Sequence, residues 1–168
     1  MGQVRLRPLA ASDVGPVAAL NDAEVPRVSA LGPEGLADHL PRCELAVVAE
    51  DDDGLAGFVL AVPPGIDYES VNYRFFEDRG TDHLYVDRVV VAPTHRRRGV
   101  AGRLYDAVEE RSRQTGRAEV TCEVNVRPAN PASLAFHVAR GFLEVGRQDT
   151  TGGTVTVALM AKRVAPSG

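Results

Sequence analysis

The chain has 168 residues, 44% of them hydrophobic and 25% charged, which predicts a soluble globular protein built as one domain over residues 1–168. Its formal net charge of −4 disfavours a nucleic-acid partner. No apolar run approaches the roughly 20 residues of a membrane helix. Two cysteines without a CxxC pair, and an N-terminus that lacks an apolar leader, indicate a reducing, cytoplasmic setting.

The first half of the chain predicts a strand, two short helices and a two-stranded hairpin, in that order. Alternating apolar and polar residues indicate the strand, and a proline confined to the first turn is compatible with each helix. An acidic turn that ends in Asp-Gly favours the hairpin. The predicted ranges are 3–9 for the strand, 14–20 and 33–40 for the helices, and 44–49 and 55–62 for the hairpin strands.

Residues 67–80 form an aromatic-rich stretch that fits either a short helix or an ordered loop. This stretch holds four of the nine aromatic residues of the chain. Two roles stay open for it, a hydrophobic flap that packs on the core or a wall of a substrate pocket. The four aromatic residues are Tyr68, Tyr73, Phe75 and Phe76.

The second half of the chain alternates strands and helices. A long apolar run precedes a basic turn, and an amphipathic helix follows that turn. Asn130 followed by Pro131 is typical of a helix start, and two last strands flank a Thr-Gly-Gly turn. The whole chain therefore predicts a mixed sheet with helices on its faces. The predicted ranges are 83–92, 119–126, 143–148 and 154–160 for the strands, and 100–115 and 130–141 for the helices.

The basic turn over residues 96–102 carries the strongest functional signal. The helix that follows it aims backbone N–H groups and positive partial charge at one point, and three arginines add attraction for anions. This arrangement predicts a phosphate or diphosphate site. The Gly-Lys-Ser/Thr ending of a Walker loop and the three-glycine fingerprint of a dinucleotide fold are both missing from this turn. A solvated basic turn and a nucleic-acid patch are the remaining alternatives.

Residues 91–104 resemble motif A of the GCN5-related N-acetyltransferase (GNAT) superfamily. The core of that motif, Arg/Gln-x-x-Gly-x-Gly/Ala, is met by Arg96, Gly99 and Ala101. Residues 130–142 independently resemble the family helix that begins at Asn and ends at Gly-Phe, with a histidine at the family's Tyr position. The resemblance implies an α/β (α+β mixed sheet) GNAT fold. Such a fold is a single domain with a mostly antiparallel twisted sheet of about seven strands and about four helices, splayed at a CoA-binding wedge.

The same resemblance implies acetyl-CoA as the co-substrate. The diphosphate would lie on the amides of the basic turn, the pantetheine would bond to the backbone of the preceding strand, and the thiol end would lie near the second helix. The four histidines have no paired ligand spacing, so we expect no metal site. The residues implied for CoA binding are Val89, Val91, Arg96, Arg97, Arg98, Gly99, Val100, Ala101, Gly102, Asn130, Ser133 and His137.

The resemblance also implies acid–base residues. Glu123, on the polar face of its strand, is the first candidate for the general base, and Asp87, which shares a strand face with Val89, is the second. Each candidate also has a purely structural interpretation. Glu123 would then be an exposed glutamate on its strand, and Asp87 would form an ion pair with an arginine. His137 is the candidate proton donor to the departing thiolate, with Tyr85 as its substitute.

The implied function is direct transfer of an acetyl group to a primary amine of a small molecule, an amino acid or a peptide N-terminus. Residues 21–31 and 67–80 would shape the acceptor pocket. The formation of a homodimer is left as a possibility by the sequence. A non-catalytic CoA-binding regulatory domain is the alternative, and a nucleic-acid binder that uses the arginines of the turn is a third hypothesis. The residues predicted for acceptor binding are Asn21, Tyr73, Phe75, Phe76 and Asn125.

Overall fold

The computed structural model describes residues 2–165, and these contain seven β-strands and five α-helices. The strands are β1 (Arg5–Pro8), β2 (Leu45–Asp51), β3 (Gly54–Val62), β4 (His83–Val91), β5 (Glu119–Arg127), β6 (Leu143–Thr150) and β7 (Val155–Arg163). The helices are α1 (Val14–Asp22), α2 (Gly32–His39), α3 (Val71–Asp78), α4 (Val100–Gln114) and α5 (Pro131–Ala139).

All seven strands belong to one sheet with the order β1-β2-β3-β4-β5-β7-β6. Strands β4 and β5 are parallel and pair through three residue pairs, of which the last joins Tyr85 to Thr121. The pairings β1–β2, β2–β3, β5–β7 and β6–β7 are antiparallel. The predicted mixed, mostly antiparallel sheet of seven strands is therefore confirmed.

The structure has one more α-helix than the four expected, because the aromatic-rich stretch forms α3. The side chain of Ser70 caps this helix by accepting a hydrogen bond from the Tyr73 amide at 3.2 Å. The sequence left open whether this stretch is a short helix or an ordered loop. The serine cap and the helix-compatible residues that follow it favour the helix. Residues 67–70 remain a loop.

The chain folds as two compact units, and both β4 and α4 are shared between them. The first unit runs to Pro63 and resumes over Val86–Glu110, and the second comprises Pro64–Tyr85 and the chain from Arg111 onward. The first unit contains the basic turn of residues 96–102, and the second contains α3, α5 and the last three strands.

The core of the first unit lies between helices α1 and α2 and the strands β2, β3 and β4. Helix periodicity brings apolar side chains of both helices onto the same face of the sheet, where they are buried. In the second unit, Tyr73 and Phe76 of α3 are buried against the rings of His83 and Tyr85, with centroid distances between 5.6 and 6.1 Å. The core residues of the first unit are Val17, Ala18, Leu36, Val48, Phe58, Leu60 and Val90.

Candidate active site

The predicted diphosphate turn forms a continuous loop between β4 and α4 in the first unit. A short 3-10 turn over Pro93–His95 leads into it, and α4 begins at Val100. Arg97 and Gly99 have positive φ angles of 61° and 76°, so the backbone reverses sharply just before the helix. The Gly99 carbonyl accepts the amide of Arg103 at 3.2 Å, which leaves the preceding amides of the first helical turn without intrahelical acceptors.

The three arginines of this loop differ in their surroundings. Arg96 pairs with Glu24, and Arg97 is exposed. A guanidinium nitrogen of Arg98 lies 3.6 Å from the Asp51 carboxylate, and the Arg98 side chain is 25% exposed. That separation exceeds a hydrogen bond, so the Arg98 donors remain available to a phosphate.

A buried histidine–carboxylate pair lies at the start of the same loop. His95 Nε2 is 2.9 Å from Asp51 Oδ2, and its Nδ1 is 2.9 Å from the Thr94 hydroxyl. The Asp51 side chain is fully buried and also accepts the Asp53 amide at 2.9 Å. Burial raises the pKa of Asp51, but the hydrogen bonds from His95 and the Asp53 amide, with the nearby positive charge, hold it below its usual range.

Asp87 on β4 lies in a buried charge network of the first unit. Its Oδ2 atom is 3.0 Å from His39 Nε2 and accepts the Nε–H of Arg88 at 3.0 Å. The side chains of Asp87, His39 and Arg88 are all less than a tenth exposed. Because a buried guanidinium requires a counterion, this carboxylate neutralises Arg88.

Arg88 ties β4 to the segment that follows α1. It donates to the Asn21 side-chain carbonyl at 3.2 Å, and to the backbone carbonyl and hydroxyl of Ser29 at 3.0 and 3.3 Å. Asn21, predicted to bind the acceptor, is fully buried and donates to the Ser29 carbonyl at 3.0 Å. In this structure Asn21 therefore stabilises the 21–31 segment from within.

Polar side chains of the second unit form three successive pairs across β4 and β5, and we call this set the cross-strand ladder. Its members are Thr81–Glu119 at 2.5 Å, His83–Thr121 at 3.0 Å and Tyr85–Glu123 at 2.6 Å. The backbone register joins His83 to Glu119 and Tyr85 to Thr121. The side chains of His83 and Tyr85 thus reach two residues further along β5 than their backbone partners, and Thr81 precedes β4.

Two of the predicted catalytic residues, Tyr85 and Glu123, therefore contact each other. The Tyr85 hydroxyl donates to Glu123 Oε2, and Tyr85 is 1% exposed whereas Glu123 is half-buried. A buried phenol that holds a partly accessible carboxylate orients that carboxylate. This arrangement can present a proton acceptor to a ligand while the phenol stays inside the core.

Glu77 of α3 supports the ladder from the opposite side. Its Oε1 is 2.7 Å from His83 Nε2, its Oε2 accepts the Gly65 amide at 2.8 Å, and it hydrogen-bonds the Tyr73 hydroxyl. Tyr73 and Phe76 are at most 1% exposed. Phe75 is half-buried and packs against Gly146, where an added Cβ would lie 2.6 Å from the ring. The three aromatic residues of α3 predicted for acceptor binding thus pack within the second unit.

Asn125 and the two β4 valines are half-buried. Asn125 follows Glu123 on the same face of β5 and pairs by register with Val157 of β7. Val89 and Val91 alternate with the buried residues Arg88 and Val90. Partial exposure leaves all three positions accessible to a ligand.

The start of α5 carries the predicted cap. Asn130 Oδ1 accepts the Ser133 amide at 3.3 Å, and Pro131 occupies the first helical position. His137 is buried, and its Nδ1–H donates to the Ser133 carbonyl at 2.7 Å. Its ring packs edge-on against Phe136 and Phe142. Burial lowers the pKa of His137, with Arg140 acting in the same direction, so this imidazole is neutral at pH 7.

Sequence reasoning missed the residues whose partners lie far along the chain. The His95–Asp51 bond spans 44 residues and the ladder pairs span 38. The alternation of β5 does place Glu119, Thr121 and Glu123 on one face, so the β5 half of the ladder was readable from the sequence. For Asp51, the acidic hairpin turn over residues 50–53 was the signal that the sequence offered.

No helix within residues 2–165 combines the length and apolar character needed to cross a membrane. In the same range, no group of three or more His, Cys, Asp or Glu side chains is arranged to hold a metal ion.

The model of the Acetyltransferase (GNAT) family matches residues 18–142 of this chain. Comparison with curated protein sequences gave no match. Among solved structures, the chain is similar to NAA60 from Arabidopsis thaliana in complex with a bisubstrate analogue. The two share 20% identity with a TM-score of 0.78, and the likeness covers 98% of this chain and 100% of that chain.

Two bacterial structures are similar over nearly their full length. The ribosomal-protein-S18-alanine N-acetyltransferase from Escherichia coli shares 18% identity with a TM-score of 0.72, covering 99% of this chain and 97% of that chain. The putative acetyltransferase yncA from Salmonella typhimurium, solved with acetyl-CoA, shares 14% identity with a TM-score of 0.72, covering 98% and 96%. At these identities the likeness shows the fold.

Proposed function

The chain belongs to the Acetyltransferase (GNAT) family, and we propose that it transfers an acetyl group from acetyl-CoA directly to a primary amine. The acceptor is a small molecule, an amino acid or a peptide N-terminus. The observation that carries this proposal is the 2.6 Å hydrogen bond from the buried Tyr85 hydroxyl to the partly accessible Glu123 carboxylate. A non-catalytic CoA-binding domain would have no use for a proton acceptor held in this way.

Glu123 is the proposed general base. An amine attacks only as the neutral species, so a carboxylate within hydrogen-bond or one-water reach must take the ammonium proton. Tyr85 holds the Glu123 carboxylate in place, and this partly accessible carboxylate would take the proton of the amine. Asp87 is the weaker candidate, because Arg88 and His39 already occupy its Oδ2 atom inside the first unit.

The loop before α4 is the proposed holder of the CoA diphosphate. Its positive φ angles and the free amides of the first helical turn make a concavity suited to an anion, and Arg97 and Arg98 add charge. The backbone of Val89 and Val91 would bond the pantetheine, and Asn130 and Ser133 would lie near its thiol end. When bound, acetyl-CoA supplies the acetyl group as a thioester.

In the overall transfer, the N–C bond to the acetyl carbon forms, the C–S bond to CoA breaks, and Glu123 accepts the proton of the amine. The CoA sulfur leaves as a thiolate, which is a competent leaving group because thiol pKa values lie near 8.5. The prediction that His137 donates a proton to this sulfur stays a prediction. We propose instead that its neutral ring packs α5, since its Nδ1–H is committed to the Ser133 carbonyl.

The class of amine is best sought with a panel. The net charge of −4 and the carboxylate of Glu123 favour a cationic acceptor. The Escherichia coli structure bears the name of an enzyme that acetylates a ribosomal protein, and another similar structure is called a putative phosphinothricin N-acetyltransferase. Peptides and small amines therefore both belong in the panel. Two free cysteines support a reducing, cytoplasmic location.

The test is thiol release from acetyl-CoA with peptides, amino acids and small amines as acceptors. Glu123→Gln should lower kcat by roughly 100-fold or more while calorimetry with CoA gives the wild-type Kd, because general-base catalysis contributes about 10²–10⁴-fold. Glu34→Gln on the exposed face of α2 is the matched control and should be silent. Unchanged turnover in the Glu123 variant would remove it as the base. CoA binding without thiol release across the panel would favour the regulatory domain.

A further inference from the structure

The buried His95–Asp51 pair lies in the same unit as the diphosphate loop, immediately before its first arginine. We propose that the hydrogen bond from His95 Nε2–H to Asp51 anchors this loop in the geometry that binds the diphosphate of CoA. His95 is then a positioning residue for the co-substrate. The inference rests on the proposed function, since it assumes that the loop binds CoA.

The loop needs an anchor because its backbone is not in a relaxed conformation. Arg97 carries a Cβ yet adopts a φ of 61°, a region that such residues populate rarely. Gly99 follows at 76°. A residue of this kind persists only where its surroundings hold it, and His95 is the buried side chain two positions before Arg97.

The hydrogen-bond roles in this pair follow from the partners. An ionised carboxylate only accepts, so His95 Nε2 carries the proton and donates to Asp51. Nδ1 lies 2.9 Å from the Thr94 hydroxyl, which can either donate to it or accept from it. Both ring nitrogens therefore have a partner, and the two contacts together fix the orientation of the ring.

Asp51 is a firm attachment point because it belongs to the hairpin of the first unit. It is the last residue of β2, pairs by register with Gly54, and accepts the Asp53 amide with its other oxygen. The bond to His95 therefore links the loop to the end of the β2–β3 hairpin. Loop residues attached to such an element lose freedom before a ligand binds, which favours binding.

The charge of Asp51 has effects on the loop besides the bond to His95. A buried anion near an anion-binding loop opposes the binding of a diphosphate, and Asp51 also forms an ion pair with Arg98 at 3.6 Å. Replacing Asp51 would change this repulsion and the anchor together. The informative variants therefore leave Asp51 in place and change His95.

Substitution of His95 by Gln or by Asn distinguishes the roles of its two ring nitrogens. The side-chain amide of Gln places an N–H near the position of Nε2, whereas that of Asn places it near Nδ1. His95→Gln should therefore keep the donor to Asp51, and His95→Asn should lose it. By calorimetry with CoA, we expect the Kd to rise roughly tenfold or more in His95→Asn and less than about threefold in His95→Gln.

A matched control is His83→Asn, which removes another buried histidine bonded to a carboxylate, in the second unit. It should lose thermal stability like the His95 variant and keep the wild-type Kd for CoA. A Kd raised equally in the control would mean that loss of stability, not loss of the anchor, weakens CoA binding, and this would overturn the inference.

The remaining outcomes are equally decisive. A wild-type Kd in His95→Asn, or a Kd in His95→Gln as weak as in His95→Asn, overturns the role of the Nε2 donor. If His95→Asn does not fold, Thr94→Val removes the Nδ1 contact that helps to fix the orientation of the His95 ring. Roughly threefold weaker binding in that variant supports the inference and an unchanged Kd overturns it. A wild-type protein that gives no heat with CoA would refute the proposed function itself, so the two failures are distinguishable.

Discussion

The Tyr85 hydroxyl and the Glu123 carboxylate meet at 2.6 Å although the backbone register pairs Tyr85 with Thr121. The phenol thus reaches across the groove between parallel strands to a residue two positions further along. Such a short contact to a carboxylate is a charge-assisted hydrogen bond, which stabilises the ionised form of the acid.

Tyr85→Phe removes that donor without changing the shape of the core. The ionised Glu123 loses one stabilising hydrogen bond, so we expect the acid limb of the pH–rate profile to move to higher pH by about one unit. The profile of kcat/KM against pH, measured with the best amine of the panel, checks this. If the limb does not move, Tyr85 does not act on the reacting base.

His137→Phe tests the role of the buried imidazole. Its pKa is lowered chiefly by burial and its Nδ1–H is bonded to the Ser133 carbonyl, so the neutral ring has no proton to spare at pH 7. We expect kcat to stay within about threefold of wild type, far from the 10²-fold or larger loss expected for a general acid. A fall of that larger size, together with loss of the alkaline limb of the pH–rate profile, would restore His137 as the proton donor.

Gly57→Ala should destabilise the first unit. A Cβ atom at this position would lie 2.6 Å from the Val90 carbonyl oxygen and 3.3 Å from the Val91 Cα, both of which are backbone atoms that move only with their strand. We expect a loss of about 1–3 kcal/mol in the free energy of unfolding, measured by urea denaturation. Gly35→Ala in α2 meets only the Leu31 side chain, at 3.8 Å, and should be neutral or stabilising by up to about 1 kcal/mol. Equal effects of the two substitutions would contradict the close approach.

Arg7→Gln should make the free energy of unfolding depend less on pH in the acid range. Hydrogen bonds from Arg7 hold the pKa values of Asp13 and Glu50 below their usual ranges. Lowered carboxyl pKa values contribute stability above the unfolded-state values near 4, and this contribution is lost as the pH falls through the lower folded-state values. The variant should be less stable at pH 7, and its stability should fall less between pH 5 and pH 2, as measured by urea denaturation.

Arg5→Gln is the matched control for Arg7→Gln. Arg5 pairs with Asp52 at 3.5 Å, and the two side chains are 57% and 77% exposed. Exposed pairs of this kind contribute little to stability, and the charge of Arg5 lowers the pKa of Glu50 less than Arg7 does, so the pH dependence should change less than in Arg7→Gln. A slope that changes equally in both variants would point to net charge rather than to the Arg7 cluster.

The elements that could be predicted are those encoded by neighbouring residues. The cap at Asn130 and the proline that follows it depend on residues within one turn, and both appear in the structure. The hairpin was expected from Asp53-Gly54, yet the register pairs Asp51 with Gly54 and leaves Asp52 and Asp53 as the two turn residues. Because one pairing shift changes every cross-strand partner, the sequence pattern alone did not assign that turn.

The site residues were harder to assign, because their roles depend on burial and on distant partners. Asn21 and Asp87 carry polar groups suited to a ligand, but tertiary contacts bring Arg88 to both of them. His95 showed no local pattern, since its partner comes from another strand. Glu123 was readable as a residue on the polar face of β5, whereas its bond to Tyr85 required knowledge of the parallel register.

The solvent exposure of the β5 residues differs along the cross-strand ladder. Glu119 at one end is 4% exposed and Thr121 in the middle is fully enclosed, while Glu123 at the far end is half-buried. A carboxylate introduced at position 121 would lie beside His83 and would be inaccessible to a ligand. Along this strand, a redesigned enzyme could change the strength of its base but would have little freedom to relocate it.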